Sequence, residues 1–445
     1  MNFQMSRGAN VPRLLAAASA FLLAAACRDL PTATPVDALK QPATPARDLL
    51  TLDPLCGVGI LGADGTLGSG AQWLVCKPPL WNGSVIVWAH GYVDPTNPLR
   101  LPDDVIEGAR IRDIALGLGY AYATTSYRHT GLVAAEGSHD LDDALGQYID
   151  RFGSPPPGTT PPRAYLVGAS EGSLSSILAL ERTTTQFSGA LAVCGPIGSF
   201  RGQINYFGDF RVLFDYFFPG VLPGTAIRIP QDLINHWDDR YVPAIVAAVT
   251  ANQDALTQLL RVSHAPAGSS LVATIDSTVI GLLWYNVFAT NDAATRLGGN
   301  PYDNRTRIYL GSSNDLRLNL LVKRFTASPT ALANLKAFET TGGLQRPVVS
   351  LHTTADPIIP FWQQELYQLK WLTTPHLALF AGFPVSRYGH CQFTMNDVLL
   401  AFGGLVQETG GPPLIVPASL FLSQTEASQF LELSRSRGAN ATVIR

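Results

Sequence analysis

Apolar residues in this chain gather in short runs of strand length, and between the runs they recur at helical spacing. The runs "VIVWAH" (85–90), "YAYATTS" (120–126), "AYLVGAS" (164–170), "GALAVCG" (189–195), "PVVSLHTTAD" (347–356) and "HLALFAG" (376–382) predict strands. Between the first two, "DVIEGARIRDIALGLG" (104–119) has helical apolar intervals and a terminal Gly, and predicts a helix. "SHDLDDALGQYIDRF" (138–152) predicts the next, with Ser138 as its cap and acids in its first turn. This β-α-β-α order favours an α/β fold with a mostly parallel central sheet and helices on both faces.

The alternation stops after residue 195. Residues 196–345 hold aromatic stretches such as "YFGDFRVLFDYFFPG" (206–220) and helical patterns such as "VPAIVAAVTANQDALTQLLR" (242–261). A structureless loop of that length is improbable in a compact domain, so the segment predicts an inserted, mainly helical cap. The core is then split into residues 51–195 and 346–445, the latter including a C-terminal tail. No internal repeat interrupts this plan.

The first residues follow a different pattern. Arg7 and Arg13 precede the apolar run "LLAAASAFLLAAA" (14–26), which is too short to span a bilayer comfortably and reads as the core of a signal peptide, residues 1–26. The run ends in "LAAAC", which resembles the lipobox of bacterial lipoproteins. That resemblance implies acylation of Cys27 and a protein held to the cell envelope by an N-terminal lipid anchor. Ordinary cleavage at the small residues and an uncleaved anchor are the alternatives, and all three export the chain. Residues 28–50, rich in Pro, Ala and Thr, read as an extended tether.

A chain of 445 residues with 46% hydrophobic and 15% charged content can bury a large core. Without residues 1–26 it carries 29 basic against 34 acidic groups, a net charge of −5, and no basic patch points to nucleic acid. Four cysteines follow Cys27, an even count that invites disulfides in an oxidising compartment, with three possible pairings. Cys56 and Cys76 flank a Gly-rich turn between two apolar stretches, which suggests a hairpin stapled near its base. No Cys/His cluster has zinc-site spacing, and no metal or organic cofactor is implied.

Within "YLVGASEGS" (165–173), a strand-like run leads into Ser170 and the helical "SLSSILALE" (173–181) follows. A sharp strand-to-helix turn needs small flanks, supplied by Gly168 and Gly172, and it exposes the Ser170 hydroxyl at the sheet edge. The amide of Glu171, at the helix N-terminus, would then face an oxyanion formed above Ser170. A serine needs a base and a carboxylate that orients it. His390, in the turn-like "SRYGHCQFT" after the last predicted strand, can reach over the sheet edge, with Gly389 giving the tight turn. The alternative for it is a structural loop histidine. Its neighbour Cys391 can pair with Cys194, at the end of the strand expected beside that of Ser170, or both thiols stay free. Asp356, in "SLHTTADPIIP" (350–360), leaves a strand end ahead of the histidine. Its rivals Asp140, Asp142 and Asp143 sit on what reads as a solvated helix face, Asp315 lies in the cap, and His352 lies inside a strand. "VIVWAHGY" ends a strand at His90-Gly91, so the amide of Tyr92 is a candidate second oxyanion donor, or the Gly serves only a tight turn.

These residues together resemble the α/β-hydrolase superfamily. "AHGY" looks like its oxyanion loop, "GASEG" its nucleophile elbow, "ADPIIP" its acid loop and "YGHC" its histidine loop, in the family order Ser, Asp, His. The resemblance implies Ser170 as nucleophile, His390 as general base, Asp356 as orienting acid, and the amides of Tyr92 and Glu171 as oxyanion donors. It spans roughly residues 51–410, the cap excepted.

Exported bacterial esterases or lipases and exported exopeptidases are both similar. The aromatic, aliphatic cap favours an ester, as a small molecule, a lipid or a polymer, unless those side chains merely form the cap's own core. An exopeptidase would need an acid for the free amine, with Asp209, Asp215, Asp238, Asp239 and Glu171 as candidates. A third class, a non-catalytic surface binding lipoprotein, has no need for all three of Ser, His and Asp. Oligomeric state is not legible here.

Overall fold

The computed structural model describes residues 53–153, 163–436 and 441–444. The signal peptide, Cys27 and the tether expected over residues 1–50 lie outside the described residues.

The first hairpin pairs β1 (Leu61–Thr66) with β2 (Gln72–Lys77), and Cys56 is disulfide-bonded to Cys76 at its base, as the flanking cysteines suggested. β3 (Val85–Ala89) follows, then a minute hairpin of β4 (Val105–Ile106) and β5 (Ala109–Arg110), then helix α1 (Ile111–Gly117). The rest of the core runs β6 (Ala121–Thr125), α2 (Ala134–Phe152), β7 (Ala164–Ala169), α3 (Glu171–Glu181) and β8 (Gly189–Val193), and resumes after the cap with β9 (Val348–Ala355) and β10 (Phe380–Tyr388). Eight of these strands form one sheet in the order β1-β2-β6-β3-β7-β8-β9-β10. Only β2 runs against its neighbours; from β6 to β10 every pairing is parallel.

Every residue of β3, β6 and β8 is buried, the mark of strands covered on both faces. Alternation along the strands divides them between two cores. Ile86, Trp88, Val167, Leu191 and Val193 pack with α1 and the helix Met395–Glu408, whereas Val85, Val87, Leu166, Ala190 and Ala192 pack with α2 and α3.

Between β8 and β9 the chain is mostly helical, with Phe200–Phe217, Val242–Ala251, Gln253–Ser263 and the long helix Leu271–Leu297 around a separate core that includes Phe210, Phe214 and Leu283. By length and composition alone the last of these helices would pass as a membrane span, but it buries Leu282, Leu283 and Val287 in the cap. Ile358 and Ile359, in the loop after β9, belong to the same cluster, so the cap is packed onto a loop of the core.

Several local expectations fail for identifiable reasons. The helix expected over 104–119 is only α1; its first half is the β4–β5 turn, where Glu107 and Gly108 both hold positive φ, at 48° and 82°. Two successive left-handed residues suit a tight hairpin and cannot continue a helix. Ser138 is not a cap, because α2 starts at Ala134 and Ser138 is buried inside it, donating to the Ala135 carbonyl at 2.7 Å. The helical pattern over 242–261 is realised as two helices, Val242–Ala251 and Gln253–Ser263, the second capped by the Asn252 side chain. The last strand begins at Phe380 rather than His376 and runs on to Tyr388. A parallel pair, Leu414–Pro417 with Ala441–Ile444, was not anticipated at all.

Candidate active site

Ser170 stands between β7 and α3 with φ 54° and ψ −121°, a backbone conformation L-residues rarely adopt. Close packing holds it there. A Cβ on Gly172 would lie 2.0 Å from the Ala89 carbonyl oxygen, and one on Gly168 would lie 2.4 Å from that of Gly172, so neither flank tolerates a side chain. Ser170 N donates to the Val193 carbonyl at 2.9 Å, and Ser173 Oγ donates to the Gly168 and Val193 carbonyls at 2.7 and 2.8 Å. The turn is therefore tied to the ends of both neighbouring strands.

His390 enters from the loop after β10. Its Nε2 lies 3.1 Å from Ser170 Oγ and its Nδ1 lies 2.8 Å from Asp356 Oδ2. Asp356, 1% exposed, ends β9 and uses Oδ1 to accept the amides of Ile358 and Ile359 at 2.9 and 3.0 Å. These bonds fix the carboxylate so that Oδ2 faces the imidazole. Gly389, at φ 110°, makes the turn before His390; its amide donates to Ala355 and its carbonyl accepts from Thr353 Oγ1. Cys391, adjacent to His390, is disulfide-bonded to Cys194 at the end of β8, with 5.4 Å between the Cα atoms. The histidine loop is thus bolted to the strand beside the Ser170 strand.

Around Ser170, Gly91 is the nearest backbone of the loop after β3: a Cβ there would lie 3.2 Å from Ser170 Cβ. The following residue, Tyr92, lines the space next to the hydroxyl, and the amide of Glu171 opens α3, where first-turn N–H groups have no helical partner. His90 does not reach Ser170. It is buried, with Nδ1 2.7 Å from the Gly91 carbonyl oxygen and its ring 4.2 Å from that of Tyr127, and burial lowers its pKa. His352 is fully buried in β9 with Nε2 2.8 Å from the Ile359 carbonyl oxygen, and burial lowers its pKa.

The rival acids stand elsewhere, and Asp143 is exposed as expected. Asp140 is not on a solvated face; it is fully buried and bonds Arg128 at 2.6 Å. Asp142 pairs with Arg182, and Asp315 accepts the amides of Gly311 and Ser312 in the loop ahead of its helix.

Tyr285 carried no sequence signal. It stands on the long cap helix, its hydroxyl within hydrogen-bonding reach of Ser170, and burial pushes its pKa well up. Its ring stacks on Phe207 at 5.0 Å and 6°, which fixes the hydroxyl. Two cavities meet at Ser170, Tyr92 and Tyr285. The larger, about 350 Å³, runs down one face of the sheet between apolar side chains that include Trp88, Ile114, Leu191 and Phe402. The smaller, about 80 Å³, lies under the cap against Phe200, Phe207 and Glu171.

A strand-to-helix turn bearing serine, with the acid and the histidine following in chain order at strand ends, defines the architecture. The fold is that of an α/β-hydrolase. No known family pattern and no curated protein matches the chain. Among solved structures it is similar to the acylaminoacyl peptidase of Pyrococcus horikoshii, with a TM-score of 0.36 and 10% identity over 74% of this chain and 38% of the other. It is similar to Candida antarctica lipase A, with a TM-score of 0.39 and 12% identity over 79% and 78%. Feruloyl esterase B from Aspergillus oryzae gives 0.41 and 15% over 75% and 74%. The chain spans about two-fifths of the length of the peptidases it matches.

Proposed function

We propose that this protein is an exported serine hydrolase that cleaves carboxylic esters through an acyl-enzyme intermediate. The observation that carries the reading is the unbroken hydrogen-bonded chain Ser170–His390–Asp356 at the mouth of a 350 Å³ apolar cavity. His390 Nε2 takes the proton as Ser170 Oγ attacks the ester carbonyl; Asp356 keeps Nδ1 protonated and stabilises the imidazolium. The carbonyl oxygen becomes an oxyanion received by the amides of Tyr92 and Glu171. His390 then protonates the leaving alcohol; in the second half it takes a proton from the water that attacks the acyl carbonyl and gives it to Ser170 Oγ as the Oγ–C bond breaks, which releases the acid.

An apolar acyl chain suits the larger cavity, since its walls offer little to a polar group. The two disulfides fit a protein that folds in an oxidising compartment. Export through the leader and anchoring by acylated Cys27 complete the proposal.

Nitrophenyl esters of graded chain length, given to the protein and to its Ser170→Ala variant, test this reading. Each added CH2 should raise kcat/KM about fourfold until the cavity is full, from ~0.8 kcal/mol per buried CH2. The variant should lose activity by about a millionfold while staying folded. Equal rates in the two proteins would end the proposal.

A further inference from the structure

Of the five acids considered for holding an amine, four are spoken for or lie in solvent. Asp209 is bonded by Tyr302, Tyr309 and Arg307, Asp215 by Arg211, and Asp238 and Asp239 are exposed. Glu171 differs. It is 5% exposed and forms part of the wall of the smaller cavity beside Ser170. Its Oε1 accepts the Val133 amide at 3.1 Å, while Oε2 is buried with no hydrogen-bond partner.

A buried carboxyl with one bare oxygen is costly to ionise unless a cation lies close to it. Burial pushes its pKa up to about 8, and the nearest charges acting on it, Asp292 and Glu136, are themselves acidic. Glu136 Oε2 is also buried without a partner, whereas Asp292 is paired with Arg296 at 2.8 Å. Among the described residues the wall of the cavity holds no Lys, Arg or His; it offers the rings of Tyr92, Phe207 and Tyr285 instead. In the free protein the carboxyl keeps its proton up to about pH 8; a small cation entering the cavity would displace that proton and gain from both the resulting carboxylate and the ring faces.

Resting on the hydrolase reading above, we infer that the 80 Å³ cavity is a subsite for a small ammonium group of the substrate, held by the Glu171 side chain, while the apolar part occupies the larger cavity. The ammonium has two possible sources: an amino-alcohol ester, or the α-amine of an aminoacyl group. In both, the amine lies within a few bonds of the carbonyl that Ser170 attacks.

The test compares 2-(dimethylamino)ethyl octanoate with its neutral isostere 3-methylbutyl octanoate, and alanine 4-nitroanilide with its N-acetyl derivative, on the protein and on Glu171→Gln. The ratio of kcat/KM within each pair cancels any change in basal rate. We expect the cationic member of at least one pair to be preferred by tenfold or more, with the ratio collapsing towards one in Glu171→Gln. The first pair reports an amino-alcohol source and the second an aminoacyl source. Ratios near one in both pairs, or a preference that survives Glu171→Gln, overturn the inference. If the variant does not fold, the wild-type ratios alone decide. If nitrophenyl octanoate is not hydrolysed either, the hydrolase reading has failed, and calorimetric binding of the two octanoates to Ser170→Ala then judges the subsite. Tenfold tighter binding of the amine supports it and equal binding overturns it.

Discussion

The sheet edge and the cap meet at Ser170 but contribute differently. Every group that would exchange a proton or hold charge in the reaction comes from the core: Ser170, His390 and Asp356 at strand ends, with the amides of Tyr92 and Glu171 beside them. The cap contributes Tyr285, Phe207 and the other side chains that enclose the smaller cavity. Core positions are over-determined by backbone hydrogen bonds, close glycine contacts and a disulfide, whereas cap positions are held by ring packing. A scaffold divided in this way can keep its chemistry fixed while its selectivity changes with the cap.

If that division holds, damage to the core should lower all substrates together. Asp356→Asn should cost about 10⁴ in kcat on every ester, because the imidazole loses its oriented tautomer. A loss that differs strongly between esters, measured over a chain-length panel, would break the comparison.

The two disulfides sharpen it. Cys194–Cys391 links residues 197 apart and Cys56–Cys76 residues 20 apart, so chain entropy assigns them about 5 and about 3 kcal/mol of stability. Replacing the first pair by Ser should lower Tm more and also lower kcat, since His390 adjoins Cys391. Replacing the second pair should lower Tm with kcat retained. Thermal scans and initial rates on both double variants check this.

Glu171 gives a pH test independent of turnover. Its carboxyl has an ordinary pKa of 4.5 and about 8 in the fold, so between these values the unfolded chain has released a proton that the folded one retains. Stability is therefore lost as pH rises through that window. Glu171→Gln should gain Tm over the parent progressively from pH 4.5 to about 8 and hold a constant lead above it. A Tm difference that does not vary with pH would contradict the burial argument.

The smallest expected effect is at the cap. Tyr285→Phe removes one hydroxyl near Ser170 and should cost about 1 kcal/mol, roughly fivefold in kcat/KM. A loss as large as that of Asp356→Asn would move Tyr285 from the enclosing walls into the chemical machinery.

Much of the core was legible because its signals are local. Apolar runs between turn residues marked six strands, and "GASEG" with a strand before it and a helix behind it located the elbow. Strand adjacency suggested the pairing of Cys194 with Cys391, with two free thiols as the alternative, and the bond is observed. The β4–β5 turn was missed because its apolar spacing mimics a helix, and the sign of φ at Glu107 is set by tertiary packing. Tyr285 was illegible for a stronger reason. It reaches Ser170 from 115 positions away through the folding of the cap, and nothing in "LLWYNVF" (282–288) distinguishes it from a core aromatic.

The measurement closest to the central claim is labelling by a nitrophenyl phosphonate followed by peptide mass spectrometry. One adduct per chain, on the peptide holding Ser170, with labelling slowed by orders of magnitude in His390→Ala, is the predicted result. Absence of an adduct on folded protein, or an adduct on another serine, would contradict the assignment of Ser170 as the nucleophile.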